Sequence, residues 1–198
     1  MANTVLRISR LGYNRSMLRV IAGEAKGIRL EAPKGSRIRP TLDRVREALF
    51  SILGPGLPGS RFADLFAGTG ANGIEALSRG AASAVFVDSD TRSLDCVRGN
   101  LEKAKFGARG TLRRISIPGG LSALAKMGGA FDVIYADPPF GYQEYGELIS
   151  AISDIGLLGS DGLFVLEHAR DEAIPEESGG LKRYRHESYG SVGLSFFA

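Results

Sequence analysis

The sequence predicts an α/β protein whose central sheet is mostly parallel and ends in an antiparallel hairpin. From residue 61 onward, short runs rich in β-branched and aromatic residues alternate with helix-length segments. Strands separated by helices need crossover connections, which give a parallel sheet covered on both faces. The last two apolar runs are separated only by Tyr189 and Gly190, which predicts the hairpin. A chain of 198 residues, 43% of them hydrophobic, is large enough for one such domain with its own core.

The elements of this core are expected in a regular order. The predicted strands span residues 62–66, 84–87, 110–115, 131–136 and 163–167, followed by the hairpin strands 182–187 and 191–197. The predicted helices span residues 71–79, 92–105, 121–127 and 145–155.

A smaller element precedes the core. Two short β-rich runs, 18–22 and 28–32, flank a turn bounded by glycines and predict a hairpin. Thr41 predicts the N-cap of a following helix, because Asp43 would then lie in the positively charged first turn. The expected boundaries are a leader at 1–16 that is disordered or precedes the native start, and one domain at 17–198, divided into an N-terminal element at 17–58 and a core at 59–198.

Charge is distributed unevenly along the chain. Residues 1–46 contain 11 basic and 3 acidic residues, a net charge of +8, whereas the remainder has a net charge of −5. The overall charge of +3 therefore conceals a strongly basic front end. Such a segment attracts a phosphate backbone or an anionic membrane, although it can also be only a solvated face.

Composition excludes several classes of protein. The single cysteine, Cys96, excludes an intrachain disulfide framework and a four-cysteine zinc site, and no metal is expected. No stretch approaches the roughly 18 apolar residues that cross a bilayer. We therefore expect a soluble, cytoplasmic protein without a membrane partner.

A glycine-rich loop follows the first core strand. Gly68, Gly70 and Gly73 form a GxGxxG pattern between a strand and a helix, where glycine lets the backbone turn sharply and approach a ligand. Asp88 ends the next strand, 20 residues after Gly68, where a carboxylate accepts hydrogen bonds from ribose hydroxyls. The pattern predicts a cofactor that contains adenosine and leaves its identity open.

Two further features favour S-adenosylmethionine over a dinucleotide. Asp64, inside the first strand, suits the cationic amino-acid end of that cofactor and would repel a pyrophosphate. The sequence Asp-Pro-Pro-Phe at 137–140 follows the apolar strand 131–136, at the sheet edge where α/β proteins bind ligands. The alternative for 137–140 is a rigid turn that only ends the strand.

Residues 137–140 match what methylation of an exocyclic base amine requires. The lone pair of such an amine is delocalised into the ring until the nitrogen becomes pyramidal. The Asp137 carboxylate and the Pro138 carbonyl can each accept one N–H, Pro139 stiffens the turn, and Phe140 stacks on the base. The target base must be unpaired or flipped out, since a paired amine is inaccessible.

With these motifs the sequence resembles the RsmD family, bacterial methyltransferases that modify the N2 amine of a guanine in 16S ribosomal RNA. The resemblance rests on RVIAG at 19–23, RPT at 39–41, DRVREALF at 43–50, the loop at 64–73 with GIEALSRGA at 73–81, and DPPF at 137–140. It implies the class I S-adenosylmethionine methyltransferase fold, which is Rossmann-like and ends in an antiparallel hairpin, and a monomer that acts on the small ribosomal subunit or its assembly intermediate.

The resemblance also implies a set of site residues. The implied catalytic residues are Asp137, Pro138, Pro139 and Phe140. The implied cofactor-binding residues are Asp64, Phe66, Ala67, Gly68, Gly70, Asp88, Ser89 and Ser116. The implied RNA-binding residues are Arg19, Lys26, Arg39, Thr41, Arg44, Arg46 and Tyr142, most of them in the basic N-terminal hairpin and helix.

Several alternatives stay open at this point. Arg39 or Arg46 can instead form a salt bridge with acids of the body, and Tyr142 can pack against the sheet. No acid lies between Glu102 and Asp132, where relatives carry one for the adenine amine, so Ser116 or backbone would substitute. The alternative functions are a DNA adenine-N6 methyltransferase, an RNA-binding module without catalysis, and a dinucleotide oxidoreductase.

Overall fold

An eight-stranded sheet forms the centre of the molecule. The computed structural model describes residues 18–32 and 41–198, with side chains from residue 43 in the second range. The strands are β1 Arg61–Leu65, β2 Ser83–Asp88, β3 Gly110–Arg114, β4 Phe131–Ala136, β5 Leu158–Ala169, β6 Glu177–Ser178, β7 Leu181–Tyr189 and β8 Val192–Phe197. Their order is β3-β2-β1-β4-β5-β8-β7-β6. Strands β1 to β5 pair in parallel, and β8 lies antiparallel between β5 and β7, as the sequence predicts.

Helices cover both faces of the sheet. They are α1 Thr41–Leu53, α2 Ala71–Ser78, α3 Thr91–Lys103, α4 Ser122–Ala125 and α5 Tyr145–Asp154. One apolar cluster lies between the sheet and α1, α2, α3 and residues 18–30, and the other lies between the sheet, α4 and α5. In the described parts of the chain, no helix is both long and apolar enough to cross a membrane.

Strand β5 begins earlier than the sequence predicts, at Leu158 instead of residue 163. Residues 159–162 are Gly-Ser-Asp-Gly, which are poor strand formers, and the pairing with β4 shifts register between Phe131 and Val133. Short β6 contains only Glu177 and Ser178, which give no apolar signal. Both differences arise where pairing with a neighbouring strand overrides local propensity.

The N-terminal hairpin has less regular strand pairing than predicted. Residues 18–22 and 28–32 form no regular strands, and they are joined by a single antiparallel bridge between Arg19 and Arg29. The Val20 N–H donates to the Ile28 carbonyl and the Leu30 N–H to the Leu18 carbonyl, both at 2.9 Å. The hairpin also bonds to α2, where the buried Glu75 carboxylate accepts N–H bonds from Ile21 at 2.7 Å and Ala22 at 3.0 Å. The hairpin is a docked part of the core.

Asn100 of α3 joins the N-terminal segment to the glycine-rich loop. Its Nδ2 donates to the carbonyls of Glu31 at 3.0 Å and Thr69 at 2.9 Å, and its Oδ1 accepts the Glu31 N–H at 2.8 Å. The side chain is buried, and both amide hydrogens and the oxygen are used. One side chain thus fixes both segments relative to α3.

Candidate cofactor and catalytic site

The glycine-rich loop turns sharply at the carboxyl end of β1. Phe66, Gly68 and Gly70 have φ angles of 62°, 54° and 76°, in the left-handed region. A phenylalanine there is strained by roughly 1–2 kcal/mol, so the fold around it enforces this conformation. The loop therefore presents its backbone to the sheet edge in a fixed shape.

The three glycines are required for different reasons. A Cβ on Gly73 would lie 2.2 Å from the Phe86 ring, and one on Gly70 would lie 3.1 Å from both Val97 methyl groups. A Cβ on Gly68 would meet only the Phe66 carbonyl oxygen, at 3.9 Å. Gly70 and Gly73 thus allow α2 to pack on the sheet. Gly68 faces open space, where a ligand can approach the backbone.

Substituting Gly73 should destabilise the loop and α2 together. Gly73→Ala inserts a methyl group into the Phe86 ring, so we expect the free energy of unfolding to fall by about 1–3 kcal/mol. Gly99→Ala is the matched control, because Gly99 is also helical and nothing lies within 4 Å of an added Cβ. That control should raise stability by about 0.5–1 kcal/mol. Urea denaturation measures the stability of both variants. Equal effects would contradict the role of Gly73 in packing α2 against the sheet.

Asp64 is a buried carboxyl behind the loop. It is 1% exposed, and its Oδ2 accepts the Gly73 N–H at 2.9 Å. Burial raises the pKa of Asp64 to about 8, although the Gly73 hydrogen bond acts in the opposite direction. The side chain therefore holds the start of α2 against β1. A nearby cation would favour its ionised form.

The raised pKa of Asp64 predicts a specific pH dependence of stability. Between the ordinary value of 3.8 and about 8 the folded protein retains a proton that the unfolded chain loses. The stabilisation from Asp64 is therefore complete below about pH 4 and is lost as the pH rises through about 8. Asp64→Asn keeps an acceptor for Gly73 and removes the titration.

Urea denaturation of both proteins across this pH range measures the effect. The free energy of unfolding of the wild type relative to Asp64→Asn should decrease with rising pH and level off above about pH 8. A difference that does not vary with pH would contradict the shifted pKa.

Asp88 lies at the end of β2, beside the loop. Its Oδ2 accepts the Gly68 N–H at 2.9 Å, and its Oδ1 accepts the Asp90 N–H at 2.8 Å. The residue is half-buried, and each carboxylate oxygen has a further lone pair. Asp88 therefore orients the loop while its carboxylate remains available to hydroxyl donors.

Residues 137–140 lie directly beside this loop. Leu65 of β1 pairs with Ala136 of β4, so the two strands end at the same level of the sheet. Asp137 is exposed, Phe140 is 95% exposed, and the Tyr142 N–H donates to the Pro139 carbonyl at 3.1 Å. A large aromatic side chain in water beside a closed turn is available to stack on a planar ligand.

Tyr142 packs within the protein. Its ring lies edge-on to Phe66 at 5.6 Å and to Tyr145 at 5.3 Å between centroids. Its hydroxyl oxygen is buried without a hydrogen-bond partner in the described structure, and burial raises the pKa of the phenol to about 12. Of the two sequence-based alternatives the structure favours packing, so Tyr142 links the turn at residues 137–140 to the strained Phe66.

The other cofactor candidates surround the same edge. Ala67 is buried and donates its N–H to the Val87 carbonyl at 2.8 Å. Ser89 and Ser116 are exposed; their carbonyls accept bonds from Arg114 Nε at 3.3 Å and the Gly120 N–H at 2.9 Å. The loops after β1, β2, β3 and β4 thus bring the predicted cofactor and catalytic residues to one edge.

Among the described residues of the N-terminal element, the RNA-binding candidates are either exposed or, in the case of Arg46, buried. Arg19, Lys26 and Arg44 are exposed, as is Arg29, which the sequence reasoning did not assign. Arg39 and the Thr41 side chain lie outside the described residues, as does the proposed capping role of Thr41. The exposed group forms the basic surface, which we define as Arg19, Lys26, Arg29 and Arg44.

Arg46 departs from the sequence-based expectation of a phosphate contact. It is only 4% exposed, and its Nη2 donates to the Arg19 carbonyl at 2.7 Å and to Asp43 Oδ1 at 2.9 Å. The residue lies on the inner face of α1, one helical turn after Asp43. Arg46 therefore forms an internal ion pair, but with Asp43 of its own helix and not with an acid of the body, which was the sequence-based alternative.

Sequence reasoning missed four buried polar residues that hold the site together. They are Glu75, Asn100, Tyr135 and Glu167. Glu75 lies in the GIEALSRGA motif at 73–81 that carries the family resemblance, but no role follows from its spacing. Glu167 is the last residue of the predicted strand 163–167, and it is buried with a hydrogen bond from the Tyr135 hydroxyl.

A cavity of about 510 Å³ lies at the opposite edge of the sheet. Its lining includes Ser60, Asp132, Asp161 and Tyr184, at the amino ends of β1 and β4 and on neighbouring β5 and β7. None of the candidate catalytic or cofactor residues borders it. We therefore place the functional site at the carboxyl edge, where parallel sheets bind ligands.

Comparison with solved structures identifies the fold. The structure of yhhF from Escherichia coli matches with a TM-score of 0.76 and 31% identity, covering 91% of this chain and 97% of that one. A hypothetical protein of Thermus thermophilus matches with a TM-score of 0.77 and 29% identity, covering 91% and 98%. The predicted Rossmann-like methyltransferase fold is confirmed.

Comparison of sequences identifies the family. The family model described as Conserved hypothetical protein 95 matches residues 18–198. YlbH of Bacillus subtilis is 39% identical over 180 residues, covering 91% of this chain and 98% of the relative. Ribosomal RNA small subunit methyltransferase D of Escherichia coli is 32% identical over 180 residues, covering 91% and 89%. This chain therefore belongs to the Conserved hypothetical protein 95 family, the family of ribosomal RNA small subunit methyltransferase D that its motifs resemble.

Proposed function

We propose that this protein transfers a methyl group from S-adenosylmethionine to the N2 amine of a guanine in 16S ribosomal RNA. The observation that carries the proposal is the position of residues 137–140 beside the glycine-rich loop, with Asp137 and Phe140 exposed at the carboxyl edge. The relative named ribosomal RNA small subunit methyltransferase D supports the choice of RNA as substrate.

The residues at this edge fit the proposed cofactor. Gly68 leaves room for a ligand against the loop backbone, and Asp88 offers carboxylate lone pairs to ribose hydroxyls. Asp64 behind the loop favours a cationic group, which would lower its raised pKa. When bound, S-adenosylmethionine supplies an electrophilic methyl group. Phe66, Ala67, Gly70, Ser89 and Ser116 complete the proposed binding site.

The catalytic turn orients the amine. The Asp137 carboxylate and the Pro138 carbonyl accept its two N–H groups, Pro139 restricts the backbone, and Phe140 stacks on the guanine. This geometry directs the nitrogen lone pair toward the methyl group of the cofactor. One of the two amine protons can leave after the methyl group is transferred. Because the amine of a paired guanine is engaged, the base must be unpaired or flipped out. Catalysis then rests on orientation and fixed electrostatics.

The basic surface contacts the RNA backbone in this proposal. Its members are exposed and belong to the hairpin and α1, which pack next to α2 and the glycine-rich loop. We propose that residues 17–58 contact RNA, that residues 59–198 carry out methyl transfer, and that the protein acts as a cytoplasmic monomer on the small subunit or its assembly intermediate.

Binding by the basic surface should weaken steeply with salt. Four phosphate contacts would release about three counterions from single-stranded RNA, so the logarithm of affinity should fall with a slope of about −3 against log salt concentration. Fluorescence anisotropy with a 16S RNA fragment measures this slope. Replacing Lys26 and Arg29 together by Met should reduce it to about −1.5. A slope near zero in the wild type would contradict the assignment of this surface.

Methyl transfer to defined nucleic acids tests the function itself. The wild type is incubated with radiolabelled S-adenosylmethionine and one acceptor at a time. The acceptors are 30S subunits and free 16S RNA, both from a strain lacking this modification, and duplex DNA. Nucleoside analysis should find N2-methylguanine in the RNA. Label in adenine of the DNA would support the DNA methyltransferase alternative. Cofactor binding without label in any acceptor would favour a binding module.

A further inference from the structure

Two buried polar side chains underlie the catalytic turn and have no role in the function proposed above. The Tyr135 hydroxyl donates to Glu167 Oε2 at 2.6 Å. Tyr135 is 1% exposed and Glu167 is 7% exposed. A short hydrogen bond to a carboxylate in a dry environment is strong and directional.

The sheet register places Glu167 beside Asp137. Ala136 of β4 pairs with Leu166 of β5, so the next residues, Asp137 and Glu167, are neighbours across the two strands. Tyr135 lies two residues before Asp137, on the same side of the strand. The hydrogen bond between Tyr135 and Glu167 therefore crosses from β4 to β5 directly beneath the turn that begins at Asp137.

Arg46 is a further buried charge near this pair. Its guanidinium is buried, bonds to Asp43 and to the Arg19 carbonyl, and has an Nε without a partner in the described structure. Burial raises the pKa of Glu167, although the Tyr135 hydrogen bond and the nearby charge of Arg46 act to lower it. The guanidinium therefore ties α1 to the hairpin, and its charge favours the ionised form of Glu167.

Stability alone does not account for these groups. Burial of ionisable side chains is expensive, and apolar residues of similar volume often give equal or greater stability. Val133, Val165 and Leu194 belong to the same apolar cluster as the Tyr135 ring. A polar pair in this setting fixes one orientation where apolar residues would permit several.

We infer that Tyr135 and Glu167 are positioning residues for Asp137. In this arrangement Tyr135 holds the Glu167 carboxylate away from the amine site, so that Asp137 is the acid presented to the substrate. The catalytic role of Asp137 in this inference rests on the proposed function.

Tyr135→Phe tests the inference by removing one hydroxyl, and Tyr184→Phe is the matched control on exposed Tyr184 of β7. For Tyr135→Phe we expect kcat to fall about tenfold, while KM for RNA and the dissociation constant for S-adenosylmethionine change less than about twofold. Glu167→Met, which removes the acceptor for the Tyr135 hydroxyl, should have a similar effect. Because the two residues act as one unit, the double variant should lose about tenfold and not about a hundredfold.

Hydrogen exchange in the same samples reads the turn without substrate. The Tyr142 N–H, bonded to the Pro139 carbonyl at 3.1 Å, should exchange several-fold faster in Tyr135→Phe than in Tyr184→Phe. A purely structural role would lower the unfolding midpoint and leave kcat and this exchange rate unchanged.

An unchanged kcat, or additive losses in the double variant, would overturn the inference. If the wild type methylates none of the acceptors, the proposed function fails on its own. The exchange rate then decides the positioning role: faster exchange in Tyr135→Phe supports it, and equal exchange overturns it.

Discussion

Replacing Asp137 by alanine should reduce kcat for methyl transfer by about 10²–10³-fold, which corresponds to roughly 3–4 kcal/mol of transition-state stabilisation. The carboxylate is one of two acceptors that hold the amine in the proposed geometry, and the turn offers no other side-chain oxygen at residues 138–140. The loss should fall on kcat because orientation of the lone pair matters most when the new bond forms.

Two comparisons separate this effect from damage to the fold. Asp137→Asn keeps one acceptor oxygen without the charge, so its kcat should lie between the wild type and the alanine variant. Asp161→Ala replaces another exposed aspartate at the opposite edge of the sheet and should retain full activity. Affinity for S-adenosylmethionine, measured by calorimetry, should change less than about twofold in all three. A fully active Asp137→Ala would refute the proposed catalytic turn.

Much of the core follows from the sequence because its signals are local. All residues of strand Phe131–Ala136 except Asp132 are apolar, and the strand has the limits that the sequence predicts. The glycine-rich loop and the Asp-Pro-Pro turn are also local, since left-handed backbone and proline restrict conformation wherever they occur. Their meeting at one edge follows from parallel strands ending together.

The parts that the sequence does not predict depend on distant partners. Arg46 lies in a basic segment, and only its place on the inner face of α1, beside Asp43 and the Arg19 carbonyl, makes it an internal ion. Glu167 gains its partner through the register of β4 and β5. Charge counting and periodicity describe a residue and its neighbours in the chain, so neither identifies such pairings.

The same dependence on distant partners explains why Gly23 should be among the least tolerant positions in the hairpin. Gly23 has a φ angle of 82°, and a Cβ there would lie 1.8 Å from the backbone oxygen of Ser78 in α2. That oxygen also accepts the Glu24 N–H at 2.9 Å, and the Ser78 hydroxyl accepts the Ala25 N–H at 3.0 Å. A backbone atom cannot move aside as a side chain can, so Gly23→Ala must displace the hairpin.

Gly23→Ala should therefore lower the free energy of unfolding by about 4 kcal/mol, from roughly 1–2 kcal/mol of backbone strain plus lost hydrogen bonds at about 1–3 kcal/mol each. Gly27→Ala isolates the strain, because Gly27 has a φ angle of 86° and nothing within 4 Å of an added Cβ. That control should lose only about 1–2 kcal/mol. Urea denaturation gives both values.

RNA binding should follow the same order as stability. An undocked hairpin would no longer hold Arg19 and Lys26 in fixed positions, so the affinity of Gly23→Ala for a 16S RNA fragment should fall well below that of Gly27→Ala. Affinity for S-adenosylmethionine should fall less, because Asn100 and Asp88 still hold the glycine-rich loop. Equal losses in the two glycine variants would mean that the hairpin can leave α2 without consequence, and the docked N-terminal element would then have no part in RNA binding.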